Sequence, residues 1–255
     1  MRRERLFGMD IDVVRLQEAV DRIENWIRVP DGRLHYVVTP NVQHALLFRH
    51  QPEFREAYRH ASLVLVDGFP LVWSGRFFGT PVPERVAGSD LVPAVFARAR
   101  AGNEFSVFLL GAAPGVGERA AAAVRASSPH VRVVGTFSPP FGFEHDENQN
   151  RDILQRISEA APDVLVVGLG APKQELWVCR HRNELRARVA LCAGASIDFL
   201  AGEKSRAPYW MQQAGLEWMH RVATEPARLA PRYARDALRL PGLLLQEWRE
   251  RRRSP

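Results

Sequence analysis

Six short, mostly apolar runs recur along the middle of the chain, and each has the length of a buried β-strand. They cover residues 34–39, 63–66, 105–110, 131–137, 164–169 and 189–193. Most of them are apolar at consecutive positions instead of alternating with polar residues. This pattern predicts strands that are covered on both faces.

The segments between these runs have helical spacing of their apolar residues, as in residues 116–124 and at Ile153, Leu154 and Ile157. Strands that alternate with helices predict parallel pairing, with helices on both faces of the sheet. We therefore predict an α/β fold in which residues 1–220 form a Rossmann-like parallel sheet with its helices. Residues 221–255 are predicted to form a basic, amphipathic, membrane-associating helical appendage.

This C-terminal segment has a long helical periodicity, with apolar side chains on one side and arginines on the other. The apolar stripe consists of Leu229, Tyr233, Ala237, Leu240, Leu244 and Trp248, and the arginines are Arg228, Arg232, Arg235 and Arg239. Because proline lacks an N–H donor, we expect Pro241 and Gly242 to kink or divide the helix.

Three interpretations of this basic helix remain open. It could bind an anionic membrane surface with its leucines and tryptophan, pack on the protein's own core, or bind an acidic protein or nucleic acid. An arginine-rich face opposite leucine and tryptophan side chains favours the membrane surface.

The net charge is concentrated in the same segment. Residues 221–255 contain nine arginines, no lysine and four acidic residues, so they carry +5 of the total +6 and leave +1 for residues 1–220. A nearly neutral body argues against a nucleic-acid groove across the fold. We expect an anionic partner at the appendage and no nucleic acid.

Composition and cysteine usage indicate an ordinary folded protein of the cytoplasm. Of the 255 residues, 46% are hydrophobic and 25% charged, and no apolar run reaches the roughly 20 residues needed to span a bilayer. The basic N-terminus is followed by Asp10 and Asp12 instead of an apolar stretch, unlike a secretory signal. Cys179 and Cys192 lie far apart in apolar contexts, so we expect reduced thiols.

Candidate chemistry lies where the predicted strands end, because ligands of such sheets bind at the carboxyl ends of the strands. Asp67 directly follows the second run, beside the Thr39-Pro40-Asn41 turn after the first. Its carboxylate could act as a general base if burial raises its pKa, or it could only cap an Asp-Gly turn. Asn41 could contact a ligand or only cap the helix that begins at Val42.

Two glycine-rich turns are candidates for phosphate contact. Gly111, Gly115 and Gly117 follow a strand and open a helix, although such turns also serve tight packing. No Walker lysine follows, which excludes a P-loop NTPase. The second turn begins at Gly168 and leads to Lys173, Gln174 and Glu175 at a helix start, where we expect Gln174 to make a functional contact.

We expect no metal ion and no cofactor. Asp10 and Asp12 form a DxD pattern, but too few residues precede them to build the nucleotide-binding half that should come first. His145 and its acidic neighbours indicate a solvated loop.

These motifs together resemble the WecG/TagA/CpsF family, glycosyltransferase family 26, over roughly residues 6–235. The resemblance rests on eight blocks that occur in the family's order: Thr39-Pro40-Asn41, Val66-Asp67-Gly68, residues 85–90, Leu110-Gly111, residues 168–175, Ala201-Gly202, Arg206-Ala207-Pro208 and residues 215–218. It implies an inverting, metal-independent enzyme. Such an enzyme moves a sugar from a UDP-sugar to a polyprenyl-diphosphate-linked sugar at the cytoplasmic face of the membrane, in cell-surface polysaccharide synthesis. It also suggests homo-oligomers that separate at the bilayer.

The resemblance further implies roles for individual residues. Asp67 resembles the general base, Thr39, Asn41 and Gln174 line the sugar pocket, and Gly111 belongs to a matched block. Arg85 resembles a position near the donor phosphates, and Arg221 and Arg228 match basic positions of a C-terminal segment that closes over the site. Pro231 stands where relatives usually have a further basic residue, with Arg232 next to it, and Asp198 matches an acidic position for which we expect a structural role.

Two alternatives of other classes remain. An NAD(P)-dependent oxidoreductase could use the 111–117 turn, but the glycine spacing differs from GxGxxG and no acidic residue ends the next strand, where residues 133–136 are Val-Val-Gly-Thr. A non-catalytic, membrane-recruited module that senses a nucleotide is the other alternative.

Overall fold

The computed structural model describes residues 2–253, which form a six-stranded sheet, a separate hairpin and twelve α-helices. The strands are β1 (Arg3–Leu6), β2 (Met9–Asp12), β3 (His35–Val38), β4 (Leu63–Val64), β5 (Phe105–Gly111), β6 (Val131–Phe137), β7 (Val164–Gly168) and β8 (Val189–Cys192). The large sheet has the order β4-β3-β8-β7-β5-β6, and all of its pairs are parallel. The predicted α/β fold with a parallel sheet is confirmed.

The helices connect the strands and extend beyond the last one. They are α1 (Leu16–Arg28), α2 (Val42–His50), α3 (Pro52–His60), α4 (Phe69–Phe77), α5 (Gly88–Phe96), α6 (Val116–Ser127), α7 (Glu147–Ala160), α8 (Lys173–His181), α9 (Ser196–Leu200), α10 (Tyr209–Gln213), α11 (Glu217–Thr224) and α12 (Pro226–Arg253). A short 3-10 helix, Phe143–His145, precedes α7.

Both faces of the sheet are buried, as the continuous apolar runs predicted. Along β5, Val107 and Leu109 pack with buried residues of α1, α5, α6 and α9, whereas Phe108 and Leu110 pack with those of α2, α3, α7 and α8. Neighbouring residues of a strand point to opposite faces, so a strand between two helical layers is apolar at every position. Each such side chain contributes roughly 1.5–3 kcal/mol by burial.

The second predicted strand is shorter than expected, because β4 ends at Val64 instead of Val66. The chain still runs beside the end of β3, since the Leu65 N–H donates to Val38 O at 2.9 Å and the Asp67 N–H donates to Pro40 O at 2.7 Å. Pro40 has no N–H to return a bond, so the regular ladder stops there. These bonds place Asp67 beside the end of β3.

The N-terminal hairpin of β1 and β2 was not predicted from the sequence. Its turn residues Phe7 and Gly8 have φ angles of 53° and 81°, the left-handed conformation of tight hairpin turns. Asp12 pairs with Arg3 at 3.0 Å and accepts a hydrogen bond from the Val64 N–H at 2.9 Å. Asp12 therefore joins the hairpin to the sheet edge and does not line the cavities described below.

Helix α12 runs without division through Pro231 and Pro241. Of the two outcomes predicted at Pro241 and Gly242, the division is wrong and the kink stays a prediction. A proline inside a helix removes one backbone hydrogen bond and crowds the preceding turn, but burial of Leu243 and Glu247 holds the following turns on the body. Arg49 on α2 pairs with Glu247 at 3.2 Å.

In this structure the C-terminal segment packs on the body, the second of the three interpretations. The predicted boundary after residue 220 falls within α11, while Arg235 and Arg239 of the basic face are exposed. Along residues 2–253, no helix combines the length and the apolar character that crossing a bilayer requires.

Candidate functional site

Two cavities meet at the carboxyl ends of the strands. The first, which we call the polar cavity, has a volume of about 320 Å³ and is bounded by the turns after β3, β7 and β8 and by α11 and α12. Its polar side chains are Thr39, Asn41, Gln43, His44, Asp67, Ser89, Gln174, Asp198, Lys204, Arg221, Arg228 and Arg232.

The second, the apolar cavity, has a volume of about 370 Å³ and lies between α4 and the C-terminal helices. Its apolar side chains are Val42, Phe69, Pro70, Trp73, Trp218, Tyr233, Ala237 and Leu240. Trp73 and Trp218 are exposed to solvent as well, so the aromatic lining reaches the protein surface.

Asp67 lies where the two cavities meet and lines both of them. Its side chain is 27% exposed and its Oδ1 is 3.3 Å from Arg85 Nη1. Burial raises the pKa of Asp67 to about 6, although the nearby Arg85 and Arg221 lower it. A carboxyl group with this pKa is ionised at neutral pH and basic enough to accept a proton, as a general base must be.

Asn41 and Thr39 line the polar cavity beside Asp67, as expected. The Asn41 side chain also accepts a hydrogen bond from the His44 N–H at 3.3 Å and caps α2. Both interpretations of Asn41, cap and cavity lining, therefore apply together. His44 is buried and donates to or accepts from the Tyr58 hydroxyl at 2.7 Å, and burial lowers its pKa to about 3, which keeps it neutral.

Arg85 lines the apolar cavity and not the polar one, and its position near the donor phosphates stays a prediction. Its guanidinium contacts Asp67, Asp90 at 2.8 Å and Glu217 at 3.3 Å. It also lies 5.8 Å from the centre of the Phe69 ring. Arg85 forms ion pairs with three carboxylates and thereby holds the acidic side chains around Asp67 in place.

Gln174 is buried at the base of the polar cavity and joins two of its turns. Its Oε1 accepts hydrogen bonds from the Gly170 N–H at 3.2 Å and the Gly194 N–H at 3.1 Å. Its Nε2 donates to Glu175 Oε1 at 2.7 Å. Lys173, the neighbour on the other side, pairs with Glu144 at 2.8 Å and is not among the cavity residues.

Four cationic side chains line the polar cavity: Lys204, Arg221, Arg228 and Arg232. Glu225, at the end of α11, pairs with Lys204 at 3.3 Å and with Arg228 at 2.6 Å. Within residues 2–253, Arg232 Nε is buried and has no hydrogen-bond partner. Such an arrangement of cations can bind the phosphates of a nucleotide.

In the first glycine-rich turn, Gly111 serves packing, whereas Ala112 lines the polar cavity. Gly111 has a φ of 116°, and a Cβ there would lie 2.6 Å from the Gly168 carbonyl oxygen. Glycine is therefore needed for the close approach of β5 and β7. Gly111, Gly115 and Gly117 are not among the residues that line either cavity.

Sequence reasoning missed Lys204 and Glu217 as site residues. Lys204 lies between two of the blocks that carried the family resemblance, and Glu217 lies within the last block. Their positions in or beside these blocks could have identified them as candidates. Asp198 lines the polar cavity and is 3.7 Å from Lys204. In the part of the chain that the structure describes, no group of three or more His, Cys, Asp or Glu side chains could hold a metal ion.

Comparison with known proteins identifies the family. Relatives from Staphylococcus aureus strains MRSA252 and COL, both named N-acetylglucosaminyldiphosphoundecaprenol N-acetyl-beta-D-mannosaminyltransferase, are 28% identical to this chain over 224 residues. The match covers 88% of this chain and 85% of each relative. The sequence profile described as "Glycosyl transferase WecG/TagA/CpsF family" matches residues 4–254. The chain therefore belongs to the WecG/TagA/CpsF family of glycosyl transferases.

Proposed function

We propose that this protein is an inverting glycosyltransferase. It transfers N-acetylmannosamine, its uronic acid or a related hexose from a UDP-sugar to a sugar carried on a polyprenyl diphosphate, in cell-surface polysaccharide synthesis. The relatives are named for transfer to an N-acetylglucosaminyl diphosphoundecaprenol. The observation that carries the proposal is the single carboxylate, Asp67, at the junction of a polar and an apolar cavity.

The two cavities suit two chemically different substrates. A UDP-sugar is polar and carries two phosphates, which fits a cavity lined by Lys204, Arg221, Arg228 and Arg232. A polyprenyl-linked acceptor has an apolar lipid chain next to its diphosphate. This chain fits the apolar cavity between α4 and the C-terminal helices. Arg221 and Arg232 line both cavities and could contact the phosphates of either substrate.

In the proposed reaction, the acceptor hydroxyl oxygen attacks the anomeric carbon of the donor sugar. The bond between that carbon and the β-phosphate oxygen of UDP breaks, and UDP leaves with the electron pair. Asp67 takes the proton of the hydroxyl as the new glycosidic bond forms. One displacement at the carbon inverts its configuration.

Negative charge develops on the UDP leaving group and must be stabilised in the transition state. In our proposal the arginines and Lys204 of the polar cavity supply this stabilisation, and transfer does not depend on a metal ion. The lipid-linked acceptor also suggests where the protein acts, at the cytoplasmic face of the membrane. There the exposed basic face of α12 would meet anionic lipid, and an assembly into homo-oligomers stays a prediction.

The direct test is release of UDP from a panel of UDP-sugars mixed with a short polyprenyl-diphosphate N-acetylglucosamine. We expect UDP release and a glycosylated lipid with one or more of these donors, unchanged by EDTA. Loss of turnover in EDTA that Mg²⁺ or Mn²⁺ restores would contradict metal independence. Absence of lipid product with every donor, or thermal stabilisation by NADH and not by UDP, would contradict the proposed function.

A further inference from the structure

Helix α11 is joined to the site by an ion-pair network that begins at its first residue. Glu217 Oε2 is 3.3 Å from Arg85 Nη1, and Glu217 Oε1 is 3.6 Å from Arg206 Nε. The Glu217 side chain is only 13% exposed. A carboxylate at this degree of burial requires cationic partners, and Arg85 and Arg206 are those partners.

The same nitrogen of Arg85 serves two carboxylates. Nη1 lies 3.3 Å from Asp67 Oδ1 and 3.3 Å from Glu217 Oε2, while Nη2 lies 2.8 Å from Asp90 Oδ2. A guanidinium can hold one carboxylate with two parallel bonds, and such a pair strongly favours the ionised, weakly basic form. Asp67 instead receives one long contact from a nitrogen that it shares.

We propose that Glu217 is a positioning residue which docks α11 on Arg85 and, by sharing that guanidinium with Asp67, keeps Asp67 strong enough as a base for sugar transfer. The inference rests on the proposed function and deepens it, because it assigns a role to a residue that lines the apolar cavity but takes no part in the bond changes of the proposed reaction. This role couples the C-terminal segment to the base, because Glu217 is the first residue of α11 and Arg221 lies on the same helix.

Other charged groups around Asp67 also act on its pKa, beside Glu217 and Arg85. They are Asp90 on α5, Arg221 on α11, and Arg228, Arg232 and Asp236 on α12; His44 on α2 is neutral. Asp198 and Lys204, which line the same polar cavity, lie 3.7 Å from each other. Burial raises the pKa of Asp67 most, the Arg85 and Arg221 charges lower it, and the Glu217 and Asp90 charges raise it. Removal of the Glu217 charge therefore weakens Asp67 as a base.

The test is the variant Glu217→Gln, which keeps the size of the side chain and removes its negative charge. We expect the acidic limb of the kcat/KM profile to move to lower pH by about half a unit to one unit. We also expect kcat at pH 8 to fall several-fold, because a weaker base accepts the proton less readily. Affinity for UDP, measured by titration, should stay within twofold of wild type.

Glu225→Gln is the matched control. It removes one carboxylate from the C-terminal end of the same helix, where Glu225 pairs with Lys204 and Arg228 and has no contact with Arg85. We expect its acidic limb to coincide with that of the wild type. Circular dichroism and thermal unfolding of both variants show whether α11 stays folded.

An acidic limb of Glu217→Gln at the wild-type pH would overturn the inference, even if the rate falls at every pH, because a uniform loss indicates a purely structural role. A shift of equal size in Glu225→Gln would also overturn it, because a negative charge at either end of α11 would then have the same effect on Asp67. Failure of the proposed function is distinguishable, since the wild-type protein would then form no glycosylated lipid at any pH.

Discussion

The Gln174 side-chain oxygen accepts a hydrogen bond from the Gly194 N–H at 3.1 Å, although the two residues are 20 positions apart. The same oxygen accepts a bond from the Gly170 N–H at 3.2 Å. One buried amide thus ties the turn after β7 to the turn after β8, and both turns line the polar cavity. The shape of that cavity depends on this side chain.

Replacing Gln174 by methionine should weaken donor binding. Two partly buried N–H groups lose their acceptor, and an unsatisfied group that is fully buried costs about 1–3 kcal/mol. We expect a several-fold higher KM for the UDP-sugar and a lower unfolding temperature. The control is Gln155→Met on the exposed side of α7, which should change neither quantity. A normal KM together with normal stability in Gln174→Met would contradict the role we assign to this amide.

Asp67→Asn should abolish transfer while UDP still binds. A positioned general base contributes about 10²–10⁴-fold to a rate, and the four cations of the polar cavity are unchanged. Burial disfavours the ionised form of Asp67, so its pKa in the folded protein, about 6, lies above the ordinary value of 3.8. Above pH 6 this charge therefore destabilises the fold, and at pH 7.5 the variant should unfold at the same or a higher temperature.

The measurements for Asp67→Asn are UDP release with lipid acceptor, UDP titration and thermal unfolding. Asp152→Asn, at an exposed position on α7, serves as the control with the same change of charge. Turnover of Asp67→Asn within tenfold of wild type would remove Asp67 as the base.

Arg232→Ala should reduce the rate of transfer more than Arg235→Ala. Arg232 lines both cavities, whereas Arg235 lies three residues further along α12 with its side chain exposed and its Nε bonded to Pro231 O at 3.2 Å. We expect Arg232→Ala to lower kcat/KM by tenfold or more, because a cation beside the phosphates is lost. Equal effects of the two substitutions would show that only the net charge of α12 matters.

Glu175→Gln should stabilise the protein more at high pH than at low pH. Glu175 is fully buried, and burial raises its pKa to about 7 from the ordinary 4.5. The folded protein therefore holds this proton up to a higher pH than the unfolded chain. Stability from this group is fully present below pH 4.5 and is lost as pH rises through about 7.

Thermal unfolding of the wild type and Glu175→Gln at pH 5 and pH 8 measures this effect. The difference in unfolding temperature, variant minus wild type, should be larger at pH 8, since each unit of pKa difference corresponds to about 1.4 kcal/mol. Glu159→Gln, at an exposed position on α7, should show the same difference at both values. A difference for Glu175→Gln that does not depend on pH would contradict a raised pKa.

Much of the fold follows from local pattern. Every predicted run in residues 34–193 corresponds to a strand of the sheet, and Asp67 lies past the end of β4 and beside the end of β3. The β1–β2 hairpin was missed, although Phe7-Gly8 between two short strands of mixed polarity is a turn signal. A kink or a division of α12 was predicted at Pro241, and the division is wrong, because the packing of Leu243 on the core is not visible in the spacing of prolines.

Less of the site than of the fold could be predicted from the sequence. Thr39, Asn41 and Gln174 were predicted to line the sugar pocket, and Arg221 and Arg228 to belong to a segment that closes over the site. All five line the polar cavity, and their roles stay predictions. The apolar cavity was not predicted, because it forms between α4 and helices more than a hundred residues away in the chain. Arg85 and Gly111 were singled out, yet their immediate contacts are with acidic side chains and with the backbone of β7.

The sequence by itself determined which segments become buried strands, which end of each strand carries polar groups, and where the positive charge lies. Those properties depend on neighbouring residues along the chain, whose hydrophobicity and backbone preferences act locally. Only the tertiary structure decided that Glu217 and Asp67 share one guanidinium and that two cavities meet at Asp67. Such contacts join residues far apart in sequence, and they depend on how whole helices pack on the sheet, which no local pattern specifies.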